Sequence, residues 1–221
     1  MKKPKIFIAC DTTDLNKVKK IIKYTQTSKI KIGYKFGLEF MNSKNGRNFV
    51  SKLKDKIIFV DLKLNDTVNT MLSAVKALKD LKINYLTVHI SSGLSALKAV
   101  KKVSGPLKII GVTTLTSLNN KDLKLIGYNK SVKNLVSHQA KLAKKANLDA
   151  LVCSPYEVNE VRKIFKKEII TPGVQIGKKN YDQKRSMEAK KVNSDWLVIG
   201  RAITARGNIK KNIQNLIEKL R

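Results

Sequence analysis

The strongest limit on the possible folds is a regular alternation of short apolar runs with amphipathic segments. The segments between the runs carry apolar residues at helical spacing, and successive strand starts lie about 27 residues apart. Nearly continuous apolar strands that alternate with helices are typical of a parallel sheet covered on both faces. Eight runs have the composition of strands: Ile6–Cys10, Ile30–Gly33, Ile57–Val60, Tyr85–Ile90, Leu107–Val112, Ala150–Cys153, Ile169–Thr171 and Trp196–Ile199.

This rhythm predicts an α/β protein with a single parallel (β/α)8 TIM barrel that spans residues 1–221. The length of 221 residues lies just above the lower limit of about 200 residues for such barrels. We find no internal repeat or linker that would divide the chain. A doubly wound open sheet is the alternative, although the sequence contains no glycine-rich dinucleotide fingerprint and no P-loop.

The composition is strongly basic, with 46 lysine and arginine residues against 16 acidic residues and a formal net charge of +30. This charge suits a nucleic-acid surface, but it also suits a lysine-rich solvated exterior. The lysines are spread over every predicted helix, and aromatic residues that could stack on bases make up only 6% of the chain. We therefore expect no specific nucleic-acid partner, although the positive field would attract an anionic substrate.

The sequence gives no indication of a membrane or of an oxidising compartment. No apolar run approaches the ~18 residues of a membrane span, and the first run is too short for a signal peptide. Cys10 and Cys153 end two apolar runs without metal-ligand spacing, which is typical of buried thiols in a reducing compartment. We predict a cytoplasmic protein with no membrane partner and no metal site.

The stretch Phe59–Thr70 carries three charged side chains at the end of a predicted strand. Asp61 and Lys63 are two residues apart, so they point to the same side of the strand. Asp66 lies beyond them, where Asp-Thr before an apolar stripe predicts the start of a helix. On spacing alone, a buried ion pair with a helix cap and a catalytic charge cluster both fit this stretch.

Polar residues also follow the other predicted strands. In a barrel, the strand ends and the loops after them share one face, where active sites are built. Asp11 also suits a cap of the first helix, and His89 is more typical of a core histidine than of a catalytic one. The residues expected at that face are Asp11, Lys31, Asp61, Lys63, Asp66, His89, Thr116, Gln183, Gly200 and Arg201.

The motif Asp-x-Lys-x-x-Asp at Asp61, Lys63 and Asp66 resembles the signature of the bacterial orotidine 5′-phosphate decarboxylase family. Further segments resemble the family in the same order along nearly the whole chain. Each of them is a weak signal alone, but together they make the resemblance specific. These segments are Lys31-Ile32-Gly33, Val88–Gly93, Val112–Ser117, Val152-Cys153-Ser154, Thr171–Val174, Asp182–Arg185 and Val198–Thr204.

The resemblance implies decarboxylation of orotidine 5′-phosphate to uridine 5′-phosphate (UMP) and CO2, the last step of de novo pyrimidine biosynthesis, without a metal or other cofactor. It implies a catalytic array of Lys31, Asp61, Lys63 and Asp66. In that array Lys63 protonates C6, Asp61 faces the departing carboxylate, and Lys31 and Asp66 hold both in place and touch the ribose. It also implies a homodimer in which Asp66 reaches the partner's site.

The family also implies a set of substrate contacts. The sequence departs from the family at Val68, where proline is common, and at Gln175, where bacterial relatives often have arginine. Whether Gln175 or the loop around Lys178-Lys179 contacts the phosphate is open. The implied contacts are Asp11 for the ribose, Thr116 for the pyrimidine, and Gln183, Gly200 and Arg201 for the phosphate.

The chemistry favours such a charge cluster on physical grounds as well. Loss of CO2 from C6 leaves a carbanion in the ring plane, where ring resonance cannot absorb the charge. An ammonium group fixed beside that carbon stabilises the developing charge and supplies the proton. Lysine suits this role because its ammonium group is a compact point charge.

Two other functions stay open on the sequence alone. A magnesium-dependent sugar-phosphate decarboxylase of the same suprafamily, such as 3-keto-gulonate 6-phosphate decarboxylase, resembles this chain at Asp61, Lys63 and Asp66. That branch usually has glutamate where Lys31 stands, and magnesium prefers oxygen ligands to lysine. A basic RNA-binding protein is supported by the net charge only.

Overall fold

Eight parallel strands close into a barrel in the computed structural model, which describes residues 5–175, 187–188, 192–204 and 207–220. The barrel strands are β1 (Lys5–Ala9), β2 (Ile32–Gly37), β3 (Ile57–Leu64), β4 (Tyr85–His89), β5 (Lys108–Val112), β6 (Ala150–Val152), β7 (Glu168–Thr171) and β10 (Trp196–Ile199). They pair in the order β1-β10-β7-β6-β5-β4-β3-β2. Two short strands, β8 (Val174–Gln175) and β9 (Met187–Glu188), form a separate pair. The predicted barrel is confirmed, and the open-sheet alternative is wrong.

The helices alternate with the strands and pack against the outer side of the barrel. In the first helix Val18, Ile21 and Ile22 are buried, as their helical spacing predicts. Within the described ranges, no helix is long and apolar enough to cross a membrane. The helices are α1 (Leu15–Thr25), α2 (Leu38–Met41), α3 (Gly46–Ser51), α4 (Val68–Ala77), α5 (Leu94–Val103), α6 (Asn120–Leu125), α7 (Val132–Lys145), α8 (Val158–Ile164), α9 (Arg201–Thr204) and α10 (Ile209–Lys219).

Strand β2 extends past its predicted end at Gly33 and stops at Gly37. A Cβ atom at Gly33 would lie 2.6 Å from Phe7 Cε1, so glycine here makes room for an aromatic ring and does not end the strand. Tyr34 and Phe36 continue the buried outward face of β2. The longer strand changes which residues reach its carboxyl end.

Aromatic rings fill the barrel interior towards the amino ends of the strands. Phe7 stacks on Trp196 with ring centroids 4.0 Å apart, and it meets Phe59 and Tyr85 edge-on at 5.0 and 5.3 Å. Buried aliphatic side chains complete this cluster. Because the rings occupy this end of the interior, space for a ligand is left at the carboxyl ends of the strands.

Beyond the rings, Glu168 connects side chains from four other barrel strands. Its carboxylate accepts hydrogen bonds from Lys5 (3.1 Å), Tyr85 (2.9 Å), Lys108 (3.0 Å) and the Trp196 indole (3.3 Å). Burial alone would raise the pKa of Glu168. The hydrogen bonds from Lys108, Lys5 and Tyr85 outweigh burial and lower this pKa to about 2. An ionised carboxylate therefore joins strands that are distant in sequence.

Glu168→Gln should weaken the acid-pH dependence of the unfolding free energy. A carboxyl pKa that falls from 4.5 to about 2 on folding contributes about 3 kcal/mol of stability above pH 4.5. The contribution is lost as the pH falls from 4.5 towards 2, because the folded state must then take up the proton. Urea unfolding across this pH range should give a flatter slope for the variant.

Glu160→Gln is the matched control for this measurement. Glu160 pairs with Lys163 on the exposed face of one helix, where an ion pair contributes little to stability. An equal change of slope in the two variants would contradict the role assigned to Glu168.

Candidate active site

A cavity of about 320 Å³ opens at the carboxyl ends of the barrel strands. An apolar floor with a few convergent charged groups is typical of small-molecule sites. The apolar lining includes Ala9, Phe59, Val112, Val152 and Val198, and the polar lining includes Asp11, Lys35, Asp61, Lys63, Thr116 and Arg201.

Four charged side chains alternate in sign along the wall formed by the ends of β1, β2 and β3. Lys35 Nζ lies 2.9 Å from Asp11 Oδ1 and 3.7 Å from Asp61 Oδ2. Lys63 Nζ lies 2.9 Å from the same Oδ2 atom of Asp61. We call Asp11, Lys35, Asp61 and Lys63 the charge array, because each ammonium group in it contacts a carboxylate.

The charge array keeps its buried members ionised. Burial alone would raise the pKa of Asp61, but Lys35 and then Lys63 outweigh burial and lower it. Burial alone would lower the pKa of Lys35, but Asp61 and Asp11 raise it. His89, at the end of β4, is half-buried, and burial together with Lys63 lowers its pKa. At neutral pH the site therefore contains charged Asp61 and Lys35 beside an uncharged imidazole.

Lys63 has an unusual backbone conformation. Its φ angle is +49°, in the left-handed region that costs a residue with a Cβ atom about 1–3 kcal/mol. The pairing of β3 with β4 shifts register between Val60 and Leu64, so the strand bulges around Lys63. Strain of this kind clusters at functional sites, and here the strained residue lines the cavity.

Six of the predicted site residues line the cavity: Asp11, Asp61, Lys63, Thr116, Gly200 and Arg201. Asp11 does not cap helix α1. The cap is Asp14, whose carboxylate accepts hydrogen bonds from the backbone N–H groups of Asn16 and Lys17. Asp11 instead contacts Lys35 at the cavity, which favours its expected place in the site.

Lys31 does not reach the cavity, and Lys35 occupies the position expected for it. Lys31 is exposed before β2 begins, and its backbone carbonyl accepts a hydrogen bond from Ile6 N at the amino end of the barrel. Four strand residues advance the chain by about 13 Å. The structure thus corrects the second-strand lysine from Lys31 to Lys35, because β2 ends at Gly37 and not at Gly33.

The sequence itself contains a pattern that also fits Lys35. Lys35-Phe36-Gly37 repeats the lysine–apolar–glycine pattern of Lys31-Ile32-Gly33 on the same side of the strand. Glycine at position 37 also has a steric explanation, since a Cβ atom there would lie 3.2 Å from Asp11 Oδ1 and 3.3 Å from Lys35 Nζ. The pattern alone could not show which of its two copies lies at the barrel mouth.

Asp66 is not among the described residues that line the cavity of its own chain. It is exposed on the loop before α4, where its Oδ1 accepts hydrogen bonds from the N–H (2.6 Å) and the hydroxyl (3.2 Å) of Thr67. The bond from the Thr67 backbone is the main cause that lowers the pKa of Asp66. Gln183 and the Lys178-Lys179 loop lie outside the described residues, so their expected phosphate contacts stay predictions.

Comparisons with known proteins all indicate one family, and each match covers almost the entire chain. Residues 4–216 match the model of the orotidine 5′-phosphate decarboxylase / HUMPS family. The chain is 41% identical to the orotidine 5′-phosphate decarboxylase of Wolbachia pipientis subsp. Culex pipiens, over 97% of this chain and 98% of that protein. It is 37% identical to the enzyme of the same name from Buchnera aphidicola subsp. Schizaphis graminum, over 99% and 96%. The crystal structure of orotidine 5′-phosphate decarboxylase from Lactobacillus acidophilus superimposes with a TM-score of 0.82 at 28% identity, over 99% of this chain and 98% of that chain.

Lys35→Met should destabilise the fold far more than Lys31→Met. Breaking a buried ion pair costs about 3–5 kcal/mol, and we expect about 3 kcal/mol because the Asp11 side chain is 53% exposed. Lys31 is exposed, so its substitution should change the unfolding free energy by less than about 0.5 kcal/mol. Urea unfolding at pH 7 measures both variants, and similar losses would contradict the charge array.

Proposed function

Because the chain belongs to the orotidine 5′-phosphate decarboxylase / HUMPS family, its reaction is the decarboxylation of orotidine 5′-phosphate in pyrimidine biosynthesis, and we propose that the charge array performs it. The observation that carries the proposal is the contact of Lys63 Nζ with Asp61 Oδ2 at 2.9 Å inside the cavity. This contact puts a proton donor and a fixed negative charge side by side over an apolar floor.

The magnesium-dependent sugar-phosphate branch is not favoured. Relatives named orotidine 5′-phosphate decarboxylase match at 37–41% identity over nearly the full chain. In the site, the residue beside Asp61 on the second strand is Lys35, where that branch would have an acid. Two ammonium groups approach Oδ2 of Asp61, and magnesium prefers oxygen ligands.

Lys63 is proposed to stabilise and then protonate the carbanion at C6. The carbanion forms in the ring plane as CO2 departs, so a cation at that edge of the ring acts mainly on the transition state. The ammonium group of Lys63 is already oriented by its hydrogen bond to Asp61. Little reorganisation is then needed when charge develops at C6.

Asp61 and Lys35 are proposed to organise the reacting end of the substrate. The Asp61 carboxylate faces the carboxylate that leaves, and the repulsion between the two like charges is relieved as neutral CO2 forms. Lys35 holds Asp61 ionised from the other side and also contacts Asp11. We propose that Asp11 and Lys35 reach the ribose together.

The far side of the cavity supports a phosphate site. Arg201 lines the cavity after β10, and its guanidinium group can bind a phosphate with two parallel hydrogen bonds. Gly200 precedes it, and a Cβ atom there would lie 3.3 Å from Ala9 Cβ. We propose that Gly200 and Arg201 bind the phosphate, with Gln183, and that Thr116 contacts the pyrimidine.

The direct test is to incubate the purified protein with orotidine 5′-phosphate and to measure UMP and CO2. We expect turnover that survives exhaustive chelation, because Lys35 and Lys63 supply the cations that the reaction needs. A strict requirement for magnesium, or turnover of 3-keto-gulonate 6-phosphate in place of the nucleotide, would assign the chain to the sugar-phosphate branch.

Lys63→Ala should remove catalysis much more than binding. Loss of the proton donor and of the adjacent positive charge should lower kcat by at least about a thousandfold. Affinity for UMP, which has no group leaving C6, should change by less than about tenfold. Lys31→Ala is the matched control and should keep wild-type kcat, since Lys31 is exposed away from the cavity. Near-normal turnover by Lys63→Ala would refute the assigned role.

We further propose a homodimer in which Asp66 completes the partner's site. Asp66 is exposed on the loop before α4 and does not contribute to the described lining of its own cavity. Leu38 and Val68, which begin α2 and α4 beside the mouth of the barrel, are also exposed, at 53% and 37%. A two-fold interface is isologous, so each subunit would give and receive one Asp66.

Mixing two inactive variants tests the shared site. Lys63→Ala and Asp66→Ala should each be nearly inactive as pure dimers. In a mixed dimer, one of the two sites combines an intact Lys63 with an intact Asp66 from the other chain. Random exchange makes about half of the dimers mixed, so roughly a quarter of wild-type activity should return. If Asp66 acted within its own chain, mixing after confirmed subunit exchange would restore no activity.

We also propose a cytoplasmic location. Cys10 is a free, buried thiol, which suits a reducing compartment, and the substrate is an intermediate of a biosynthetic pathway. Fractionation of cells that produce the protein should recover the activity with cytoplasmic enzymes, and recovery with an exported fraction would contradict the proposal.

A further inference from the structure

Thr87 is a buried hydroxyl beside the charge array that the reaction scheme above does not use. It lies in β4 with no exposed surface. Its Oγ1 atom is 2.9 Å from Asp61 Oδ1 and 2.8 Å from the backbone nitrogen of Lys63. One side chain thus contacts both residues of the pair proposed to perform the chemistry.

The two contacts determine the direction of both hydrogen bonds. The backbone N–H of Lys63 can only donate, so it uses a lone pair of the Thr87 oxygen. The single hydroxyl proton then points to the ionised carboxylate of Asp61, which can only accept. The bond to Asp61 is therefore charge-assisted. It holds Oδ1, while Oδ2 faces the ammonium groups of Lys63 and Lys35.

The bulge in β3 explains why the Thr87 side chain accepts the backbone N–H of Lys63, a bond that a backbone carbonyl accepts in a regular pair of strands. The β3–β4 pairing shifts register between Val60 and Leu64. Within this interval Lys63 adopts its φ of +49° and donates its N–H to the Thr87 hydroxyl. A partly buried N–H without a partner would be destabilising, so the hydroxyl also helps to maintain the strained conformation.

We infer that Thr87 is a positioning residue for the decarboxylation, acting through Asp61 and Lys63 without touching the substrate. The inference rests on the proposed function of the charge array. As Lys63 moves its proton to C6, the hydrogen bond between Lys63 and Asp61 changes, and an unrestrained carboxylate would rotate. The Thr87 hydroxyl holds the carboxylate plane, so that the array keeps the geometry that the transition state needs.

The test compares Thr87→Val with Thr87→Ser. Valine keeps nearly the same volume and removes the hydroxyl. We expect kcat for orotidine 5′-phosphate to fall roughly tenfold to hundredfold, the effect of losing one hydrogen bond to a charged group. KM and UMP affinity should change by less than about threefold, because the proposed phosphate and ribose contacts are untouched. Serine keeps the hydroxyl and should retain kcat within about threefold.

Thr25→Val is the matched control for a purely structural effect. Thr25 is also fully buried, and its hydroxyl bonds to the Ile21 carbonyl (2.7 Å) and to the Tyr34 hydroxyl (3.1 Å). The same chemical change there should lower the melting temperature without lowering the kcat of the folded protein. An equal kcat loss in Thr25→Val and Thr87→Val, or a Thr87→Ser variant as slow as Thr87→Val, would overturn the inference.

Two further cases have defined consequences: a Thr87→Val variant that does not fold, and a wild-type protein that has no activity. If Thr87→Val does not fold, Thr87→Cys replaces it, since a thiol is a weak donor and should give a kcat well below that of Thr87→Ser. Equal kcat values for the cysteine and serine variants would again overturn the inference. A wild-type protein without activity on orotidine 5′-phosphate would instead refute the proposed function.

Discussion

The ionised, buried carboxylate of Asp61 is the group on which the site depends. A carboxylate inside a barrel is strongly destabilising unless opposite charges and hydrogen-bond donors surround it. Lys35 and Lys63 provide the charges, and the Thr87 hydroxyl provides a neutral donor. These partners come from β2, β3 and β4, so the carboxylate is stable only when the three strands are paired. The chemistry of the site and the closure of the barrel are therefore linked.

An ionised carboxylate that contacts two lysines occurs at both ends of the barrel, with a structural role at one end and a place in the candidate site at the other. At the amino end, Glu168 is also an ionised carboxylate held by two lysines, and its pKa is shifted strongly. There the carboxylate lies against packed aromatic rings, and hydrogen bonds from Tyr85 and Trp196 complete the cluster. At the carboxyl end, the charge array borders open space. A perturbed pKa alone does not identify an active site, and the access that a ligand has to the charged groups decides between the two roles.

The fold and six of the residues that line the cavity could be predicted because they depend on local patterns. Strand and helix periodicity led to the barrel, and the spacing of Asp61 and Lys63 put both on one side of β3. Lys31-Ile32-Gly33 resembles the second-strand motif of the family and so predicts Lys31 in the array, whereas Gly33 lacks a side chain because Phe7 fills that space inside the barrel. That reason is a contact between residues far apart in sequence. Thr87 was missed for a similar reason, since only the register of β3 against β4 brings its hydroxyl to Asp61 and Lys63.

Because acidic residues are few in this chain, the loss of one should affect stability more than the loss of a lysine. With 16 acidic residues against 46 basic ones, at least seven acidic side chains form ion pairs within the described ranges. Asp149 and Asp195, for example, each bind a basic side chain and also accept a backbone N–H at the start of a strand. Substitution of an exposed lysine on such a surface has little effect on stability. Substitution of a paired acid is more costly, because it leaves a cation and a backbone N–H donor without their partners. Acids such as Asp149 and Asp195 therefore connect the barrel strands to neighbouring segments, whereas the excess lysines add a positive field that attracts anions in general.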